Sequence, residues 1–141
     1  MKQKIIENIT NNNTANIVIS SYFSANYAGQ RDLAESFDPY PEDIFIYGNQ
    51  FEGGGKAPGT DDLTRIRDAV YGSDGEFPDI IWDGIVNPAR SGDQAVICVQ
   101  NGDVELLNID TANEFANPNV NMSNHDCTVE KLSAVTLTMG N

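Results

Sequence analysis

The chain has 141 residues, a length that suits one domain, and it carries no apolar run long enough to cross a membrane. Eight Lys and Arg residues stand against 21 Asp and Glu, which gives a net charge of −13 at pH 7. This charge argues against nucleic acid or an anionic membrane surface as the main partner, because both would repel the protein. We expect a single domain over residues 1–141.

The start of the sequence predicts that the protein is not secreted through a signal peptide. The apolar residues Ile5 and Ile6 are followed by Glu7, whereas a signal peptide needs an unbroken apolar stretch. We therefore expect a cytoplasmic or virion protein. In a reducing cytosol, Cys98 and Cys127 are predicted to be free thiols.

The composition favours strands. Ile and Val together number 22 against six Leu, and β-branched residues pack well on pleated surfaces. The sequence shows no internal repeat. Asn is abundant, with clusters at 11–13 and 113–124, and these clusters predict ordered turns because Asn bonds to its own backbone.

The first part of the chain reads as alternating strands and helices. Residues Lys2–Thr10 fit either a short helix or an edge strand, and the pattern does not choose between them. Asn16–Phe23 alternates as a strand does. Ser24 then suits the N-cap of a helix that runs to about Phe37, and a short strand follows over Asp43–Tyr47.

A Gly-rich loop over Asn49–Gly59 precedes the clearest helix signal. Thr60 is a good N-cap residue, and Gly72 suits the position just after the helix. An apolar stripe at helical spacing lies between them, formed by Leu63, Ile66 and Val70. Pro78–Val86 reads as another strand.

Ala95–Ile109 carries the strongest hairpin signal, because Asn101-Gly102 separates two apolar runs. A two-residue turn would place Val99 opposite Val104. A final strand is predicted over Val129–Met139.

Together these elements predict an α+β fold. We expect a mixed sheet of about five or six strands with two helices and an antiparallel C-terminal part. A predominantly β sandwich is the alternative.

Three segments are candidates for a chemical site. The loop around Lys56 lacks the spacing of a phosphate-binding loop. The sequence His125-Asp126-Cys127 places the only histidine beside a cysteine, but a structural loop is the favoured interpretation. The segment 113–126 is rich in oxygen ligands that suit Ca²⁺, yet it lacks the order of a calcium loop. We therefore predict no catalytic residue, no metal ligand and no cofactor.

A parallel first half would gather polar residues at the carboxyl ends of its first three strands. The candidate ligand-binding residues there are Ser24, Asn49, Lys56, Asp83 and Arg90.

The favoured function is that of a small acidic, non-enzymatic protein that acts through protein–protein contacts. Such a protein is typical of viral accessory or structural types, either particle-associated or an inhibitor of a basic host protein. A protein partner or self-assembly is expected, with no direct nucleic-acid binding and no membrane. The alternative is a small-ligand or nucleotide-binding α/β domain that uses the five residues named above.

Overall fold

A computed structural model describes residues 9–22, 37–90 and 97–130, and the structural statements below concern these ranges. They contain seven short strands, one α-helix and two short 3-10 turns. The strands are β1 (Ile9–Asn13), β2 (Ile17–Ile19), β3 (Ile44–Tyr47), β4 (Phe51–Gly54), β5 (Ile80–Trp82), β6 (Ile97–Gln100) and β7 (Leu106–Asn108). The helix α1 is Asp61–Tyr71, and the 3-10 turns are Thr111–Asn113 and Met122–Asn124.

Every strand pair in these ranges is parallel. The sheets are β1-β4, β2-β5-β7 and β3-β6. Strands β1, β2 and β3 each start one of the three sheets, β4, β5 and β6 then pair with them in the same order, and β7 pairs with β5. In the central sheet, Ile17 lies beside Ile80, and Ile80 lies beside Leu106. Successive turns of chain therefore stack on one another, as they do in a parallel β-solenoid.

The predicted fold class is wrong in two respects. The described residues form a small α+β-like fold whose strands pair in parallel, and among them there is neither the antiparallel C-terminal sheet nor the antiparallel sheets of a sandwich. The described residues contain one α-helix where two were expected. The first predicted helix falls on residues 24–36 and most of the last predicted strand on 131–139, both outside the described residues.

The predicted hairpin around Asn101-Gly102 is also wrong. β6 pairs with β3 and β7 pairs with β5, so Val99 lies beside Ile46 rather than opposite Val104. The physical reason is burial on both faces, since adjacent residues in these strands are almost fully enclosed. Strands of that kind belong in parallel sheets, whereas a two-stranded hairpin would leave one face in water.

Two apolar clusters hold the stack together. The first lies between the sheets and takes alternate residues of the strands, among them Ile17, Ile19, Ile80, Trp82, Ile97 and Val99. The second lies on the other face of β2-β5-β7, where Ile81 and Leu107 pack with Ile66 of α1.

The helix predicted after Thr60 is confirmed. The Thr60 hydroxyl accepts a hydrogen bond from the Leu63 N–H at 3.2 Å, which caps the first turn. Ile66 is 2% exposed and anchors the helix on the sheet. At the end of the helix, the Tyr71 hydroxyl is buried without a hydrogen-bond partner. Burial, with a smaller contribution from the Glu105 carboxylate, raises the pKa of Tyr71 to about 12.

Residues 119–127 form a C-terminal cap over the outer edges of β6 and β7. Asn119 pairs antiparallel with Asn108, and the Val99 N–H donates to the His125 carbonyl at 2.8 Å. A disulfide joins Cys98 to Cys127, so the prediction of two free thiols is wrong. The position of the cap against β6 brings these two sulfur atoms together, although the two cysteines lie 29 positions apart in the sequence.

We expect loss of the disulfide to loosen this cap. By loop entropy, a bond that closes 29 residues stabilises the fold by about 3–4 kcal/mol, and C98A/C127A should lose roughly that amount. Denaturant unfolding measures the loss. Amide hydrogen exchange at Val99 should also speed up relative to Ile17, whose N–H bonds to Asp79 at 2.9 Å outside the cap. Equal acceleration at both amides would contradict a local role for the disulfide.

Tyr71→Phe removes a buried hydroxyl that has no partner. We expect it to raise the free energy of unfolding by about 1 kcal/mol at neutral pH. Because the folded pKa is about 12 against 10.0 in the unfolded chain, the folded state keeps a proton that the unfolded state loses. Stability should therefore fall as pH rises from 10 towards 12, and less steeply in the variant. Parallel pH profiles of the two proteins would contradict this assignment.

Candidate functional site

The two ends of the strand stack differ. One end is covered by the C-terminal cap. At the other end lie β2 and β3, and within the described ranges no strand pairs with their outer edges. We call these two outer edges the open end.

The backbone of Val18 faces away from the sheet at the open end. The Ile17 N–H donates to Asp79 at 2.9 Å and the Ile19 carbonyl accepts from Asp83 at 3.0 Å, so both groups face β5. Backbone groups of successive strand residues point in opposite directions. The Val18 N–H and carbonyl therefore point outward from the edge of β2.

A groove of about 740 Å³ runs along the open end. β2, β3 and the segment 37–41 line it, and most of its surface is apolar. Val18 is 61% exposed and Phe37 is 46% exposed, which is high for residues of this size. The Tyr22 and Phe37 rings meet edge to face with their centroids 5.3 Å apart and form part of one wall.

The charges that line the groove are acidic. Asp38 and Glu42 belong to its described lining, and that lining includes no Lys or Arg. The Glu42 carboxylate is bonded to Arg90 at 2.9 Å, and Arg90 also lies 3.6 Å from Asp43. The Glu42 charge is therefore largely balanced by Arg90, and Asp38 supplies the acidic character beside the apolar walls.

Asp83 holds the chain in place where it leaves β2. It is 3% exposed, and its carboxylate accepts hydrogen bonds from the Ser21 N–H at 2.5 Å and the Ile85 N–H at 3.0 Å. A carboxylate that accepts two backbone N–H bonds fixes both segments strongly. Because Ser21 lines the groove, Asp83 shapes the site without lining it.

Asn49 has a structural bond at the turn after β3. Its N–H donates to the Asn101 side-chain oxygen at 2.6 Å, and the Asn101 side-chain amide donates back to the Asn49 carbonyl at 2.9 Å. This reciprocal pair joins two equivalent turns of the stack. It also places Asn49 at the edge of the groove.

The predicted ligand-binding residues have separate partners. Ser24 lies outside the described residues. Lys56 forms an exposed ion pair with Glu76 at 3.3 Å, while Asn49, Asp83 and Arg90 bond to Asn101, Ser21 and Glu42 respectively. Each of these four described residues thus contacts a different partner, and the ligand site stays a prediction.

His125 belongs to the C-terminal cap. Its Nδ1 lies 2.9 Å from the Ile97 carbonyl, to which it donates, and its ring meets Trp82 edge to face at 5.8 Å. Nearby, the Asp110 carboxylate accepts from the side-chain amides of Asn113 at 2.8 Å and Asn117 at 3.3 Å. The Asn-rich segment therefore uses this carboxylate in its own turns. Within the described ranges, no group of three or more His, Cys, Asp or Glu is placed to hold a metal ion.

Sequence reasoning missed the groove. The alternation from Ile17 to Tyr22 correctly predicted that Val18 and Ile19 point to opposite faces. The same pattern does not predict that β3 and residues 37–41 lie beside β2, because that arrangement depends on contacts between residues distant in the sequence.

No family model, curated protein or solved structure matches this chain. A membrane-spanning helix is also not found in the described part of the chain, where no helix is both long and apolar enough.

Asp83→Asn tests the anchor behind the groove. An amide can satisfy only one of the two N–H donors, and its own NH₂ group would face the other. We expect a loss of about 1–3 kcal/mol in the free energy of unfolding. Asp74→Asn is the matched control, because Asp74 is exposed and should change stability by less than about 0.5 kcal/mol. Equal effects of the two changes in denaturant unfolding would count against the anchor.

Proposed function

We propose that this chain is a non-enzymatic protein that binds a protein partner through the groove at the open end. One observation carries the proposal: an apolar groove of about 740 Å³ whose described lining holds the carboxylates of Asp38 and Glu42, the latter paired with Arg90, and no basic residue. Soluble proteins rarely leave large apolar surface uncovered unless it serves an interaction. Small-molecule sites can have a similar volume, but they enclose most of their ligand. Val18 and Phe37 stand exposed at this groove, and an open trough suits a length of polypeptide better.

Charge favours a basic partner over a second copy of the chain. Two copies would each carry −13, and Asp38 places part of that negative charge at the groove itself. A positively charged segment would be attracted, with a screening length of about 8 Å at physiological salt. We therefore propose a basic protein partner, and the test below distinguishes it from self-assembly, which the sequence also allows.

The disulfide bears on where the protein works. Disulfides persist in oxidising settings, including the surfaces of virions and cells, and are rare in the cytosol. We infer a location of that kind, which favours the virion over the cytoplasm among the expected locations. The viral type itself stays a prediction.

The proposal is tested by selecting binders to the full chain from a library of random 12-residue peptides. Val18→Arg introduces bulk and positive charge into the groove, and enriched peptides should lose at least about tenfold in affinity for it. Val86→Arg is the matched control, because Val86 is also exposed and does not line the groove. A selection that enriches no peptide sensitive to Val18→Arg would overturn the proposed function. Light scattering that shows a dimer abolished by Val18→Arg would replace the partner with a second copy.

A further inference from the structure

We infer that the partner segment binds in extended form, as an added strand along β2, and that it alternates apolar and basic side chains. This inference rests on the proposed function and specifies how the groove is used. It is carried by the backbone of Val18, the apolar lining of the groove and its charge.

The backbone at the edge of β2 is the first element of the argument. The outward N–H and carbonyl of Val18 form a donor and acceptor pair at a sheet edge, and Val18 lines the groove. An extended peptide can bond to such a pair and continue the sheet, which is a common mode of peptide recognition. Occupied in this way, the sheet β2-β5-β7 would gain a fourth strand.

The opposite end of the stack shows the same chemistry already in use. There, the outward Val99 N–H of β6 donates to the His125 carbonyl at 2.8 Å, and Asn119 pairs with Asn108 of β7. The protein thus covers the edges of β6 and β7 with residues 119–127 of its own chain, a segment that includes the 3-10 turn Met122–Asn124. A segment on β2 would satisfy an equivalent edge.

Side-chain alternation sets the chemistry of the added strand. Successive side chains of a strand point to opposite faces. On one face they would meet the apolar residues Ile17, Ile19, Ile44 and Ile46, which line the groove. On the other face they would lie beside exposed Val18 and the acidic rim at Asp38, where Lys or Arg is favoured and their long apolar stems can cover Val18.

The test uses an acetylated octapeptide of alternating Val and Lys, with the matching Val and Glu octapeptide as control. The full chain, labelled with ¹⁵N, is titrated with each peptide. We expect the Val and Lys peptide to bind more tightly by at least about tenfold, and its affinity to fall as salt is raised. Hydrogen exchange at the Val18 amide should slow by at least about tenfold in the complex, because the N–H becomes bonded.

Two further changes isolate the backbone bonds. Val18→Pro removes the outward N–H and should weaken binding by about tenfold, whereas Val18→Thr keeps the N–H and should weaken binding clearly less than Val18→Pro does. Should Val18→Pro fail to fold, peptides N-methylated on alternate residues give the same information with the unaltered protein. Methylation along one edge of the peptide should abolish binding, and methylation along the other edge should not.

Each outcome separates this inference from the proposed function. Some library peptides could lose affinity for Val18→Arg, tolerate N-methylation on both edges and leave hydrogen exchange at the Val18 amide unchanged. That result would overturn strand addition but not binding in the groove. Preference for the Glu peptide would overturn the basic partner. Failure of the Val and Lys octapeptide alone to bind would overturn the alternating pattern. Failure of every library peptide would overturn the proposed function itself.

Discussion

The parallel pairing of β5 with both β2 and β7 is the constraint on which this molecule depends. Each turn of chain contributes only three to five residues to a strand, too few to bury an apolar face alone. Stacking places Ile17, Ile80 and Leu106 in register, and their side chains then form a continuous apolar row inside the stack. Removal of the middle strand would separate the first turn from the last, because β5 is the only strand in the described residues that has two partners.

A stack of this kind has two ends, and each end exposes backbone groups that attract other strands. Here the ends are treated differently. At one end, residues 119–127 cover β6 and β7, and the Cys98–Cys127 disulfide holds that cover in place. At the other end, the edge of β2 lies beside an apolar groove whose lining includes Asp38. The two ends of the stack therefore differ: one is covered and held by a disulfide, and the other carries the groove for which binding is proposed.

Several polar residues that the sequence suggested as ligand-binding residues form hydrogen bonds that hold segments of the described chain together. Asp83 joins two segments that leave neighbouring strands, and Asn49 with Asn101 joins two stacked turns. Both arrangements follow from stacking, since equivalent turns lie directly above one another and their polar groups can bond across the gap. His125 serves the cap in the same way through its bond to Ile97. In a stacked fold, such residues satisfy backbone groups that would otherwise be buried without partners.

The sequence alone determined the features that depend on neighbouring residues. It determined the helix after Thr60, where a cap and an apolar stripe act within a few residues, and the opposite orientation of Val18 and Ile19. Tertiary structure decided which strands pair, that Asn101-Gly102 does not close a hairpin, and that Cys98 meets Cys127. The sequence shows no fixed repeat length for the stacked turns, because the segments between paired strands differ in length. The groove is hidden for a related reason: its walls come from β2, β3 and residues 37–41, and only the burial of apolar rows between turns brings them together.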